Sequence, residues 1–564
     1  MKWNKFIVYV LTALAIFAQG LYFSEQWLLA LIIISFIYVT LIYKDGHLKW
    51  SRTFLSYWLL FYVVLHAIGY GFFQEKGMLI FALLKSCLYL IFYLVLIQLK
   101  DKGLSRSIKE AYVISMVIAG YLTTFIFVTG WLDGLNYVIN GRGSGPIQYA
   151  NTFGILLVAA LMLLSDFHTK VWVKFLGSIG LVMPLLLTMS RGNYAVAFVM
   201  LLLVIIIARP SKATLAALAT SIVIGVIVLV VFDHSETAQR LTQATGSSEW
   251  HSRLLYYRDA IKMILSKPLG YGPNGYHYAQ SFYQTGSTYH VKFVHSGLVQ
   301  QFLDLGVVGG LLIAVLMFYS VFLGGHSWMN RLLLMALLGH SLIDMNLQFP
   351  VVWLLIIVLL SEVKSPTVEL VGGKGKLLIG TCVVTLCLAC TMMLPTIYAA
   401  RGHYKKAVNL YPYYTEAYRM YLNQQGYEEG LVTYAERLEQ LNPYVTEAYP
   451  ILRDAAIQSG DYEAALIYSE KMVTYSPLLI EHHEQYSHAL MLAATYWHAY
   501  GEDGQALEAL AIIRQIPGSL EKLAKEKNTD YNVKHKPALM MNDALMKDYN
   551  EASYLMNKIN EGQD

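Results

Sequence analysis

The chain has 564 residues, of which 56% are hydrophobic and only 14% charged, with a mean hydropathy of +0.45. A soluble core of this size cannot hide so much apolar surface, so a membrane is the expected solvent. A formal net charge of only +4, without any dense basic tract, argues against a nucleic-acid partner.

The opening Met1-Lys-Trp-Asn-Lys5 and the apolar run to about residue 22 look superficially like a signal peptide. They lack a small-residue cleavage site, and a second apolar run follows at once, so a first membrane helix is expected. With about twenty apolar residues needed to cross the hydrocarbon core, spans are expected near 5–22, 26–43, 53–72, 77–99, 111–131, 149–166, 171–189, 193–208 and 213–232. After a long polar stretch they resume near 297–323, 328–344, 349–362 and 376–396. The four cysteines, Cys87, Cys382, Cys387 and Cys390, all lie in apolar runs. Cys387 and Cys390 have CxxC spacing, but without a strand signal, a second pair or a nearby histidine they read as small membrane residues.

Lys and Arg collect in alternate loops. One set holds Lys2 and Lys5, Lys44 to Arg52, Lys100 to Lys109, Lys170 and Lys174, Arg209 and Lys212, Arg331, and Lys364 to Lys376. Basic loops stay on the cytoplasmic side, so an odd number of spans is expected, with the N-terminus inside and the C-terminus outside. The long loop at 233–296 then also lies outside.

From about residue 397 the composition turns soluble and rich in Tyr and Glu. Asn409-Leu-Tyr-Pro-Tyr-Tyr-Thr-Glu-Ala-Tyr418 recurs as Gln440-Leu-Asn-Pro-Tyr-Val-Thr-Glu-Ala-Tyr449, and more loosely at Thr474-Tyr-Ser-Pro477. The prolines stand 31 and 34 residues apart, the second spacing being the tetratricopeptide period. The expected fold is therefore all-α: a polytopic bundle of about thirteen spans over 1–396, then a soluble α-solenoid of tetratricopeptide type over 397–564. Stacked helix pairs of that kind leave a concave groove for a partner.

Polar residues at the membrane edge are costly to keep and become functional candidates. Arg191, in Met189-Ser-Arg-Gly-Asn193, stands alone in the shortest outer loop, against the charge bias; the alternative is an arginine snorkelling to headgroups. In the long loop, Ser252 to Ile264 has the period of an amphipathic helix carrying Arg253, Tyr256, Tyr257 and Arg258, and a glycine-rich turn, Pro268 to Gly275, follows it. His295 opens the tenth span. His340 and Asp344, four apart, are expected to share a helix face and can hydrogen-bond, either as functional groups or as a polar pair locking helices. No Asp-x-Asp pair occurs in any outer loop, which argues against a metal-carried diphosphate. Arginine, whose planar fork pairs bidentately with phosphate oxygens, can replace it. A histidine titrating near neutrality suits removal of a proton from an attacking hydroxyl.

Four pieces together resemble the O-antigen ligase and O-antigen polymerase superfamily of bacterial envelope enzymes. They are Gly141-Arg142 through Tyr149-Ala-Asn151; Ser190-Arg-Gly192; Arg253 through the Pro268–Gly275 turn into His295, Gly306 and Gly309; and His340 to Pro350. The resemblance implies an inverting, metal-independent glycosyl transferase with a GT-C-like membrane fold and no cofactor. Its donor would be a glycan on undecaprenyl diphosphate, and its acceptor a polymer, lipid or protein outside the membrane. Arg191 and Arg253 would bind the diphosphate and His295 would be the base, with Arg142, Asn151, Arg258, His340 and Asp344 in support. Two departures stand out: Ser296 replaces the family's asparagine after the histidine, and Asp304 replaces its glutamate. Shared motifs do not separate ligase from polymerase. An outward repeat domain favours a ligase-type acceptor, a protein partner at the repeats, or a non-enzymatic assembly scaffold.

Overall fold

The computed structural model describes residues 5–100, 103–208, 211–232, 248–363, 366–370, 373–424 and 429–561. Residues 233–247 of the expected outer loop, and Lys2, Lys102, Arg209 and Lys364 of the basic loops, lie outside the described residues. The chain divides into two compact units. The first comprises 1–71, 80–244 and 295–400; the second comprises 72–79, 245–294 and 401–564.

Unit one is built from apolar helices. Six helices among the described residues are long and apolar enough to cross a membrane: Ser24–Asp45, Phe54–Gly71, Leu79–Gln98, Leu104–Thr129, Gly297–Leu323 and Leu377–Ala400. Lys5–Phe17, Ala150–Asp166, Val171–Leu187, Arg191–Ala208, Lys212–Phe232, Trp328–His340 and Pro350–Ser361 also form helices where spans are expected. With its large apolar helices, this is an all-α membrane protein. Polar caps set several helix starts: Thr53 accepts from the Ser56 N–H, Ser296 from Val299 and Ser327 from Asn330.

Burial separates inner helices from outer ones. All twelve residues of Pro350–Ser361 are buried, as is almost every residue of Ala150–Asp166. A helix apolar on every side needs protein around it or lipid, and these two are wrapped by protein. Outer helices instead expose large apolar side chains such as Phe36, Phe61, Phe198 and Leu311, a surface that lipid would cover.

Among the described residues, two short antiparallel ribbons interrupt the all-α pattern. Leu48–Ser51 pairs with Thr367–Leu370, with Leu48 opposite Leu370. Val138–Ile139 pairs with Arg142–Gly143 across Asn140 and Gly141, both in the left-handed region (φ 52° and 69°). An Asn-Gly pair takes that conformation with little strain and closes a tight hairpin, which fixes where Arg142 emerges.

Two sequence expectations need correction here. The helix expected over 328–344 ends at His340, so His340 and Asp344 do not share a helix face. His295 does not open its helix either: the helix begins at Gly297, after the Ser296 cap.

In unit two, Ser248–Ser266 and Gly275–Tyr283 accompany a C-terminal series running from Tyr404–Leu410 to Asp543–Asn560. Consecutive helices of that series pack on one another. The three recurring prolines mark the same device. Tyr414 N–H donates to Tyr411 O, Val445 to Asn442 and Leu479 to Ser476, at 3.1–3.2 Å, each closing a turn with proline second. Proline pre-sets φ for that place, so the sequence repeat is a repeated helix-to-helix turn. The residues before two of these prolines also clasp the 72–79 segment. Tyr411 OH donates to Gly77 O (2.8 Å) and the Asn442 amide to the Glu75 carboxylate (2.8 Å).

Candidate functional site

The site in unit one is assembled around the corner that follows Trp328–His340. Its centre is the buried carboxylate of Asp344, only 2% exposed. One oxygen accepts from Tyr149 OH (2.8 Å) and from the Met345 N–H (2.7 Å); the other accepts from the Asn151 amide (2.6 Å). Asn151 in turn receives Nη2 of Arg142 on its side-chain oxygen (2.7 Å), while Nε of Arg142 donates to Thr188 O (2.8 Å). The guanidinium is thus held in one plane by groups from two segments, a use of its rigid fork that lysine cannot copy. A buried polar network of this kind is stable only when its members are satisfied, and here hairpin, helix start and corner satisfy one another.

His340 belongs to the same corner. The Asn346 amide donates to its Nδ1 at 2.7 Å, and Thr152 OH donates to the Asn346 carbonyl oxygen at 3.1 Å. With Nδ1 as acceptor, the proton of a neutral ring sits on Nε2. That nitrogen faces the Arg191 turn, for a Cβ added at Gly192 would come within 3.4 Å of it. Between Val171–Leu187 and Arg191–Ala208, Met189 takes a left-handed φ of 49° and turns the chain so that Arg191 lies exposed at the helix start. Positive backbone charge at a helix N-terminus adds to that of the guanidinium. Asn193 is fully buried, and its amide donates to Asn151 O at 2.9 Å, tying the Arg191 turn to the network.

His295 reaches the corner from the other side. It is half-buried and left-handed, with φ 55°. The next-but-one residue, Gly297, donates its N–H to Ser341 O (2.6 Å) and Asp344 O (3.1 Å). A Cβ at 297 would meet Ser341 O at 3.2 Å, so a larger residue would push the helix start and the corner apart by a few tenths of an ångström. Non-glycine residues with positive φ cost about 1–2 kcal/mol each, and Met189 and His295 both carry that cost beside the same polar corner. Asp304, further along this helix, accepts from the Gln300 amide at 2.9 Å.

The structure therefore brings Arg142, Asn151, Arg191, His295, His340 and Asp344 into one unit around one corner. Arg253 and Arg258 lie in unit two, half-buried on Ser248–Ser266. The same helix carries Asp259, which accepts from Thr285 N–H (3.1 Å) and Tyr289 OH (2.9 Å). Burial raises its pKa against those hydrogen bonds. Sequence reading missed Asn193, Thr152 and Asn346, which only tertiary contact distinguishes from ordinary polar residues. It also missed Lys85, which donates to Gln348 O at 2.9 Å; a lone lysine inside the 77–99 apolar run is a signal that could have found it. Among the described residues no group of three or more His, Cys, Asp or Glu side chains is placed to hold a metal ion.

Residues 175–314 match the family model described as O-Antigen ligase. No curated protein matches the chain. The matched stretch contains Arg191, Arg253, Arg258 and His295, while Arg142, Asn151, His340 and Asp344 flank it. The match supports, in general terms, a glycosyltransferase-like enzyme of the O-antigen ligase and polymerase type, with a lipid-linked glycan and a polymer acceptor, and together with the apolar helices it suggests a multi-pass membrane protein.

Proposed function

We propose that the chain is an inverting, metal-independent glycosyl transferase of the ligase type, moving a glycan from undecaprenyl diphosphate to a cell-surface acceptor outside the membrane. The observation that carries the proposal is the meeting of two strained turns, at Met189–Arg191 and at His295, on the Asp344 corner, within or beside the stretch matched by the O-Antigen ligase model. In this reading Arg191 and Arg253 hold the diphosphate as charge builds on it, which is where fixed cations lower a barrier most. His295 takes the proton from the acceptor hydroxyl. The hydroxyl oxygen forms its bond to the anomeric carbon on the face opposite the departing diphosphate, which leaves with the electron pair of the broken bond. The Arg142–Asn151–Asp344 network and His340 position the two turns.

Thirteen spans over 1–396, an inside N-terminus and an outside tetratricopeptide-like domain over 397–564 complete the proposal. They put the corner and the repeats on one side of the membrane, as the alternation of basic loops supports. The experiment is transfer by Arg191→Ala and Arg253→Ala in membranes where insertion is verified by protease protection. Each variant is expected to lose transfer while inserting normally; wild-type transfer by the double variant would sink the mechanism. Accumulation of single lipid-linked repeat units in a deletion strain would favour a polymerase. Intact transfer together with loss of partner recruitment on deleting 403–564 would favour a scaffold.

A further inference from the structure

Unit two contains a cavity of about 610 Å³ that the transferase reading does not use. Its wall combines three tyrosines, Tyr278, Tyr289 and Tyr444, with His290, Arg419 and Glu447. The volume lies within the ~300–1,000 Å³ of small-ligand sites. Its polar members are pre-set by one another. Arg419 donates to Glu416 (2.9 Å) and to Glu447 (3.1 Å), and Tyr278 OH donates to Glu416 at 2.9 Å. Burial works against ionisation of Glu416, but the hydrogen bond and charge of Arg419 outweigh it and bring the carboxyl down to about 2. Both carboxylates come from the repeated Thr-Glu-Ala-Tyr motif, at 415–418 and 446–449, so successive repeats supply equivalent halves of the clamp.

The charge balance decides which ligand fits. Glu447 in the wall and Glu416 beside it balance Arg419 and the nearby Lys292, so the cavity offers no surplus positive charge and does not suit a phosphate or diphosphate. What remains is the half-buried ring of Tyr444 beside fixed donors and acceptors, with Tyr278 and Tyr289 buried and a small apolar floor that includes Val445 and Leu478. Those groups match an uncharged polyhydroxyl ring, which has an apolar C–H face to lie on a tyrosine and hydroxyls for the planar side chains. We propose that this cavity binds sugar units of the glycan chain, as a subsite for an uncharged oligosaccharide segment of donor or acceptor. The inference rests on the transferase reading for its ligand, though not for its geometry.

The test uses full-length protein in nanodiscs. The probe is a neutral oligosaccharide fraction released by mild acid from the surface polysaccharide of the producing cells. Saturation-transfer NMR reads binding. Wild type is expected to bind, and Tyr444→Ala to bind about tenfold more weakly or worse, the loss typical of a central aromatic anchor. Tyr444 also touches Phe282 and Tyr475, so the exposed His290 is changed separately; His290→Ala is expected to weaken binding with folding untouched. In transfer assays both variants should raise KM for glycan and leave kcat in place. Equal binding by wild type and both variants overturns the inference, as does displacement of the oligosaccharide by peptides from the cells' surface proteins. Transfer by a wild type that binds no oligosaccharide removes the subsite and leaves the transferase reading standing. Binding without any transfer does the reverse.

Discussion

Glu75 gives the sharpest quantitative prediction. Its carboxylate is fully buried in unit two, accepting from Met78 N–H (3.1 Å) and Thr415 OH (2.8 Å) on one oxygen and from the Asn442 amide (2.8 Å) on the other. Burial pushes its pKa up from 4.5 to about 7, with those hydrogen bonds resisting. Between those values the folded protein holds the proton more tightly than the unfolded chain does. Stability therefore falls as pH rises from about 4.5 through about 7, and levels off above. Ionising the buried group costs about 3 kcal/mol at about 1.4 kcal/mol per tenfold change in proton affinity. Glu75→Gln removes that cost but presents an N–H₂ to Asn442, whose amide must flip and release the Tyr444 N–H it now accepts at 3.1 Å, a loss of about 1 kcal/mol. The variant should thus be about 2 kcal/mol more stable than wild type at pH 8 and about 1 kcal/mol less stable at pH 4.5. Hydrogen exchange of amides in Thr415–Gln424 and Val432–Leu441, compared between variant and wild type at each pH, reads the difference directly. A difference with the same sign and size at both pH values would refute the assignment of a protonated, buried Glu75.

Three further outcomes are expected from the site in unit one. Asp344→Ala leaves three donors without their acceptor and should cost about 3 kcal/mol or more, visible as earlier thermal unfolding, together with loss of transfer. Gly154→Ala would put a Cβ 2.0 Å from the Asn193 amide; displacing Asn193 from Asn151 should destabilise by about 1–3 kcal/mol and slow transfer, while insertion measured by protease protection stays normal. Chelation with EDTA should leave transfer unchanged, because arginines and not a metal carry the diphosphate in this account; loss of activity restored by a divalent cation would contradict it.

The helices of unit one were legible because apolar runs of near-span length leave few other structures open to a chain. The polar corner was legible only in pieces. Spacing of four suggested a His340–Asp344 pair, but the helix stops at His340, and Asp344 instead serves Tyr149 and Asn151, nearly two hundred positions earlier. Arg142 was visible as a motif residue, whereas its anchoring on Thr188 O was not, since backbone carbonyls carry no sequence signal. Glu75 looked like part of a short turn between two spans. Its meaning lies in Thr415 and Asn442, far along the chain, and the proline repeat foretold the turns that hold them without foretelling what they would hold.

The proposed function turns on His295 acting as the base of a lipid-diphosphate glycosyl transfer. It is tested most directly by complementing a strain lacking the protein with wild type or His295→Ala and measuring lipid-linked against acceptor-attached glycan. Finished chains are expected to accumulate on lipid in the deletion strain, wild type to clear them, and the variant, inserted at the same level, to leave them in place. Full clearance by His295→Ala would contradict it.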